Sequence, residues 1–170
     1  MTKKSFKVIG EILEIGLIVF ALSWFCQVYW LGFAKVEDNA MLPTLEYNDR
    51  VLINKYFNKN KDLARGDIVL ISAADKQQKV LKRIIGLEGE TIEIRNGFIY
   101  VNGEPLYEPY AYTPVTLQLL PIRIPPGHVF VLNDDRTKIT DSRLMGNIPL
   151  THLHGKAVLT YWPWLNIKLL

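Results

Sequence analysis

A lysine can act as a base only where its ammonium sheds a proton near neutral pH, and the segment Val80-Leu81-Lys82-Arg83-Ile84-Ile85 offers one the surroundings for it. An exposed lysine titrates at about 10.4, and burial among apolar groups lowers that value by disfavouring the charged form. The segment reads as a strand, so alternation puts Lys82 on the same face as Val80 and Ile84. On this pattern alone an ordinary lysine on a half-buried strand is the simpler reading. Asp141, Ser142 and Arg143, with Arg136 just upstream, form a second polar group suited to ion pairing. His152 and His154 could share one strand face, but no third ligand accompanies them in "PLTHLHGK", and His128 stands apart. No metal and no cofactor is expected. In "EDNAMLPTLEYNDRV", residues 37–51, Met41 and Pro43 suit a tight turn and Leu45 suits core packing.

These residues need a scaffold, and the chain's length bounds what it can be. With 170 residues, 49% of them hydrophobic, there is room for one ordinary domain and a membrane segment. The net charge of +3 is spread along the chain with no arginine-rich block, which speaks against nucleic acid as a partner. Cys26 is the one cysteine, so no intramolecular disulfide is available.

From Ile15 to Ala34 no residue carries a charge, and a helix of that length at about 1.5 Å per residue crosses a hydrocarbon core of about 30 Å. Lys3, Lys4 and Lys7 precede it, and Trp24, Tyr29 and Trp30 thicken its far half, which predicts a single pass with the N-terminus in the cytoplasm. The end "YWLGFAK" makes a poor cleavage site, so the segment is read as an uncleaved anchor in the cell membrane. The expected layout is residues 1–14 in the cytoplasm, 15–34 in the bilayer and 35–170 outside.

Beyond Pro43 the chain is a series of short alternating or β-branched runs, "RVLINKY", "DIVLIS", "VLKRIIGL", "TIEIRNGFIYVNG", "HVFVLND" and "KAVLTYW", which predicts a mostly β, antiparallel domain. Asn96-Gly97 suits a type I′ hairpin, with the next reversal at Asn102-Gly103. The proline-rich continuation makes about 86–125 a β-ribbon excursion. The apolar C-terminus "YWPWLNIKLL" fits either core or a bilayer-facing surface.

Four stretches in order behind one anchor carry a resemblance: Ala40-Met41-Leu42-Pro43-Thr44-Leu45; Arg65-Gly66-Asp67; Lys82-Arg83-Ile84-Ile85-Gly86-Leu87-Glu88-Gly89; and Asn133-Asp134-Asp135-Arg136 leading to Asp141-Ser142-Arg143. The chain resembles the bacterial type I signal peptidases, membrane-anchored Ser/Lys endopeptidases that remove signal peptides from exported proteins. The resemblance implies a signal-peptidase-like fold, position 40 as the nucleophile site and Lys82 as general base. It also implies a supporting role for Met41, Pro43, Arg136, Asp141, Ser142 and Arg143. Its implied partners are the lipid bilayer and signal peptides or extended segments of exported proteins.

Three positions depart from that pattern. Ala40 stands where the family has serine. Counting three from Arg136 places Ile139 where the family has a serine that hydrogen-bonds the lysine, and Thr140 should point the other way in an extended segment. Asp38 stands where the family usually has glycine or serine, and a carboxylate there opposes a developing oxyanion. Together they suggest an inactive member of the family, with a non-catalytic peptide-binding or assembly/chaperone factor as the alternative; a cleaving signal peptidase in which Ala40 was introduced for serine is the reading they weigh against. A plain anchored domain with a vestigial cleft is the third reading. Thr44 or Ser142 could stand in for the lost hydroxyl only by occupying its position.

Overall fold

The computed structural model describes residues 3–59, 61–73, 78–111 and 113–170, with backbone alone for 3–6 and 26–29. Its first element is helix α1, Lys3–Tyr29, containing an apolar window Lys7–Phe25 of mean hydropathy 2.0, none of it buried against the rest of the chain. Nineteen residues at about 1.5 Å each reach about 28 Å, the thickness of a hydrocarbon core. Lys7, Glu11 and Glu14 share one face near its start, and from Ile15 to Phe25 it carries no charge, so the window as a whole is apolar and long enough for a bilayer. The helix stops earlier than the uncharged run, because Leu31–Lys35 leaves it as strand β1. Hydropathy does not separate these two uses of apolar residues. Pairing does, since β1 finds its partners in Arg50–Asn54, strand β2, and Phe33 meets Tyr161 edge-on at 5.7 Å.

The remaining strands are β3 (Ile68–Ser72), β4 (Lys79–Gly86), β5 (Thr91–Arg95), β6 (Phe98–Val101), β7 (Glu104–Pro105) and β8 (Leu119–Arg123). After them come β9 (His128–Leu132), helix α2 (Ser142–Met145), β10 (Ile148–Pro149), β11 (Leu153–Trp162) and β12 (Lys168–Leu169). One sheet runs β1-β2-β11-β3-β4-β9-β10, with β12 added to β11. A smaller sheet runs β7-β6-β5-β8. All pairings are antiparallel, as the alternating patterns predicted. The smaller sheet lies within the expected ribbon, and its β5–β6 turn has both Asn96 (φ 52°) and Gly97 (φ 82°) left-handed, as a type I′ turn requires. Pro121 is tolerated because β8 is an edge strand, where a missing N–H interrupts no ladder.

Strand β4 ties the molecule together. Leu81 packs with Val36, Met41, Leu45, Val51 and Ile53. Ile84 packs with Val69, Ile71 and Val129, and Ile85 with Ile92, Ile94 and Phe130. Whatever β4 carries between these clusters is therefore held on three sides. The C-terminal segment, left open between core and surface by its composition, is largely surface: Trp164, Leu165 and Leu169 are exposed, and Leu170 alone packs on the core.

Candidate functional site

Lys82 lies on β4 opposite Val69 of β3 and is 1% exposed. Burial lowers its pKa from the usual lysine value; Asp38 and Asp141 partly offset that by favouring the ammonium, and Lys138 adds a further lowering. A lysine held this way is more easily deprotonated than a solvated one, which a general base requires.

The lowered value has a measurable consequence for stability. Between the folded and unfolded pKa values the unfolded chain binds more protons at Lys82, so this group's contribution to stability rises with pH across that interval. Lys82→Met should therefore raise the unfolding free energy of the detergent-solubilised protein at pH 7 by about 1 kcal/mol. The gain should shrink as pH climbs towards 10.5, the unfolded value. Thermal unfolding of both proteins over pH 6–10 measures it, and a gain independent of pH contradicts a buried titrating lysine.

Position 40 is held in place by its neighbours, and Asp38, two residues before it, lines one groove with Lys82. Met41 and Leu45 are anchored in the core, 1% and 0% exposed, and Leu45 N–H donates to Met41 O at 2.8 Å to close the turn between them. Pro43 sits in that turn. Ala40 is buried at its base, and its carbonyl accepts from Asp135 N–H at 2.9 Å. Its own N–H donates to Asp38 Oδ1 at 2.8 Å. The Asp38 carboxylate thus already engages the backbone donor of position 40.

Asp38, Val80, Lys82, Thr140, Leu144 and Met145, with Ala73 and Gln78, line a groove of about 350 Å³ whose walls are mostly apolar. Thr140 is the unexpected member. Alternation along an extended chain turned it away and gave the position to Ile139, but the segment is not extended: Asp141 N–H donates to Ile139 O at 2.8 Å, a tight turn that resets which side chain faces the groove. Ile139 is instead 43% exposed. Thr140 Oγ1 lies 3.4 Å from Asn133 Nδ2.

The polar residues around the site form two groups. Asp141 caps α2, accepting from Arg143 N–H at 3.0 Å, accepts from Asn133 N–H at 3.0 Å and pairs with Arg143 at 2.6 Å. Arg143 also donates to Arg136 O at 2.7 Å. Arg136 itself pairs elsewhere, with Glu108 at 2.7 Å. Ser142 Oγ accepts from Val131 N–H, and Thr44 Oγ1 donates to Asp134, so both hydroxyls are engaged away from position 40.

The second group was missed from sequence. Arg83, 7% exposed, donates from Nε and Nη2 to the two oxygens of Asp134 at 2.7 and 2.6 Å, to Gly66 O and to Thr44 Oγ1. Its guanidinium stacks 4.0 Å from the Tyr110 ring, whose hydroxyl pKa burial and Glu108 push upward. Arg83 thereby joins the loop after Ala40, the strand of Lys82 and the segment of Asp134. The Lys82-Arg83 and Asp134-Asp135 pairs lay inside quoted stretches; Tyr110 and Glu108 sit in the proline-rich stretch, where no periodicity marks them. The histidines lie outside the groove lining: His154 Nε2 is 2.7 Å from Ser72 Oγ, and His128 Nδ1 is 2.9 Å from Pro126 O.

Comparison with known proteins places the chain among relatives. A family described as "Signal peptidase, peptidase S26" matches residues 9–162. The chain is 36% identical over 136 residues to signal peptidase I of Leptolyngbya laminosa, covering 75% of this chain and 67% of that protein. It is 31% identical to signal peptidase I P of Bacillus subtilis subsp. natto, covering 99% and 98%. Among solved structures, a signal peptidase I from Enterococcus faecalis superposes with a TM-score of 0.51 at 31% identity, covering 56% of this chain and 97% of that one.

Proposed function

This chain belongs to the signal peptidase family, peptidase S26, and from that premise we propose that it does not cleave, and that its groove holds an extended segment of an exported protein. The family reaction needs a hydroxyl oxygen at position 40 to attack the scissile carbonyl, a neutral lysine to take its proton, and a backbone N–H to receive the oxyanion. Lys82, whose burial lowers its pKa, is suited to the second need. Ala40 has no oxygen to offer, and its N–H is engaged by Asp38. The observation that carries the reading is this combination: a buried Lys82 and, two residues before the position that lacks its nucleophile, Asp38, both on the walls of one mostly apolar groove. We further propose that the groove takes the segment as an added strand, main chain to main chain. In this reading α1 anchors the chain as a single-pass protein of the cell membrane, with the β domain outside.

The test is capture. A signal peptide carrying a photoreactive residue, added to the detergent-solubilised full chain, should crosslink to Leu144, Met145 or Val80, and Leu144→Arg should reduce capture at least tenfold. Crosslinks scattered over the surface, or none, would sink the reading and favour a vestigial cleft. Turnover of the peptide by the unaltered chain would show that it cuts after all.

A further inference from the structure

Granted that a peptide lies in the groove with a carbonyl opposite Ala40, the structure offers a further distinction. We propose that Asp38 makes the groove selective for uncut peptide over cleaved peptide, by placing a fixed carboxylate where a cleaved peptide would present its own.

An uncut segment presents a neutral carbonyl at that point. A cleaved one ends there in an α-carboxylate. The one described donor at the position, Ala40 N–H, is already held by Asp38 Oδ1 at 2.8 Å. A second carboxylate would therefore lose the donor and face a like charge a few ångströms away. A neutral carbonyl loses the same hydrogen bond but meets no repulsion.

The cation positioned to reverse this is Lys82, which lines the groove together with Asp38. Its burial favours the uncharged amine, so it offers a terminal carboxylate less attraction than a solvated ammonium would. Asp141 adds a second negative charge facing Lys82, and Lys138 a positive one. Asp141 is committed to its pair with Arg143, which leaves Asp38 as the carboxylate at the groove. Asp38 is itself exposed, so solvent and salt screen its effect. The selectivity is one of charge at a single point, and it leaves the rest of the peptide's contacts unchanged.

The experiment uses the full chain in detergent and two signal peptides identical except at the last residue, one ending in the acid and one in the amide. The amide should bind about tenfold tighter or more at low salt, and the gap should narrow as salt rises. Asp38→Asn retains an oxygen to accept from Ala40 N–H and removes the charge, so it isolates the electrostatic part. In that variant the gap should close, chiefly through tighter binding of the acid. Equal binding of both peptides to the unaltered chain, or a gap unchanged in Asp38→Asn, overturns the role given to Asp38 and leaves peptide binding intact. If neither peptide binds, the functional reading itself falls and the selectivity with it.

Discussion

Ala40→Ser alone should give a protein that cuts an exported preprotein at least a hundredfold more slowly than Ala40→Ser combined with Asp38→Gly. Restoring the hydroxyl returns an atom whose absence costs on the order of a millionfold when nucleophile and base act as a unit. It does not free the N–H of position 40, which Asp38 holds at 2.8 Å. Losing one oxyanion donor costs about 10²–10³ in rate, and a carboxylate in its place opposes the negative charge the transition state develops. Position 139 should matter less than its count from Arg136 suggests, because Thr140, not Ile139, lines the groove together with Lys82. Adding Ile139→Ser to the double variant should change its rate by no more than a fewfold. Cleavage followed by mass spectrometry of the cut reads all four proteins. If Ala40→Ser alone matches the double variant, Asp38 swings away freely and does not block the site.

Arg83→Met should lower stability by about 3–5 kcal/mol, since it leaves the 1%-exposed Asp134 as an uncompensated buried carboxylate. For a chain of this size that is a fall in melting temperature of roughly 10 °C. Arg83→Met with Asp134→Leu should cost less than the sum of the two single changes, because the second removes the charge the first abandons. Thermal unfolding of the four proteins closes this cycle. Strict additivity would mean that the 2.6 Å contact contributes nothing. The same clamp holds the turn after Ala40 through Thr44 and neighbours Lys82 on β4, so its loss should also weaken peptide capture. The effect on stability should be the larger, since Arg83 is absent from the groove lining.

The β-rich class, the hairpin at Asn96-Gly97 and the apolar helix were all legible in the sequence because each rests on a local repeat. Alternation every second residue marks a strand, a left-handed Asn-Gly pair marks a tight reversal, and an uncharged run marks a helix for an apolar medium. The burial of Lys82 was not legible in this way: its strand pattern alone fits an ordinary lysine on a half-buried strand, and only the resemblance pointed to a buried base. The family followed from four short stretches in order, and their order survives any uncertainty about how they pack.

The tertiary structure alone decided the rest. Where the uncharged run ends as a helix depends on β1 finding β2, a partner 19 residues on from Leu31 at its near end. That Thr140 rather than Ile139 meets the groove follows from a hydrogen bond within a turn, which breaks the alternation on which the expectation rested. The Arg83 clamp joins Thr44, Gly66, Tyr110 and Asp134, partners distant in sequence whose meeting no periodicity encodes. That position 40 carries no hydroxyl and that a carboxylate stands two residues before it is plain from the residues alone. Only the folded loop decided that this carboxylate lies on the Ala40 N–H, because a two-residue separation permits that hydrogen bond without requiring it, and the anchoring of Met41 and Leu45 holds the loop in the conformation that makes it.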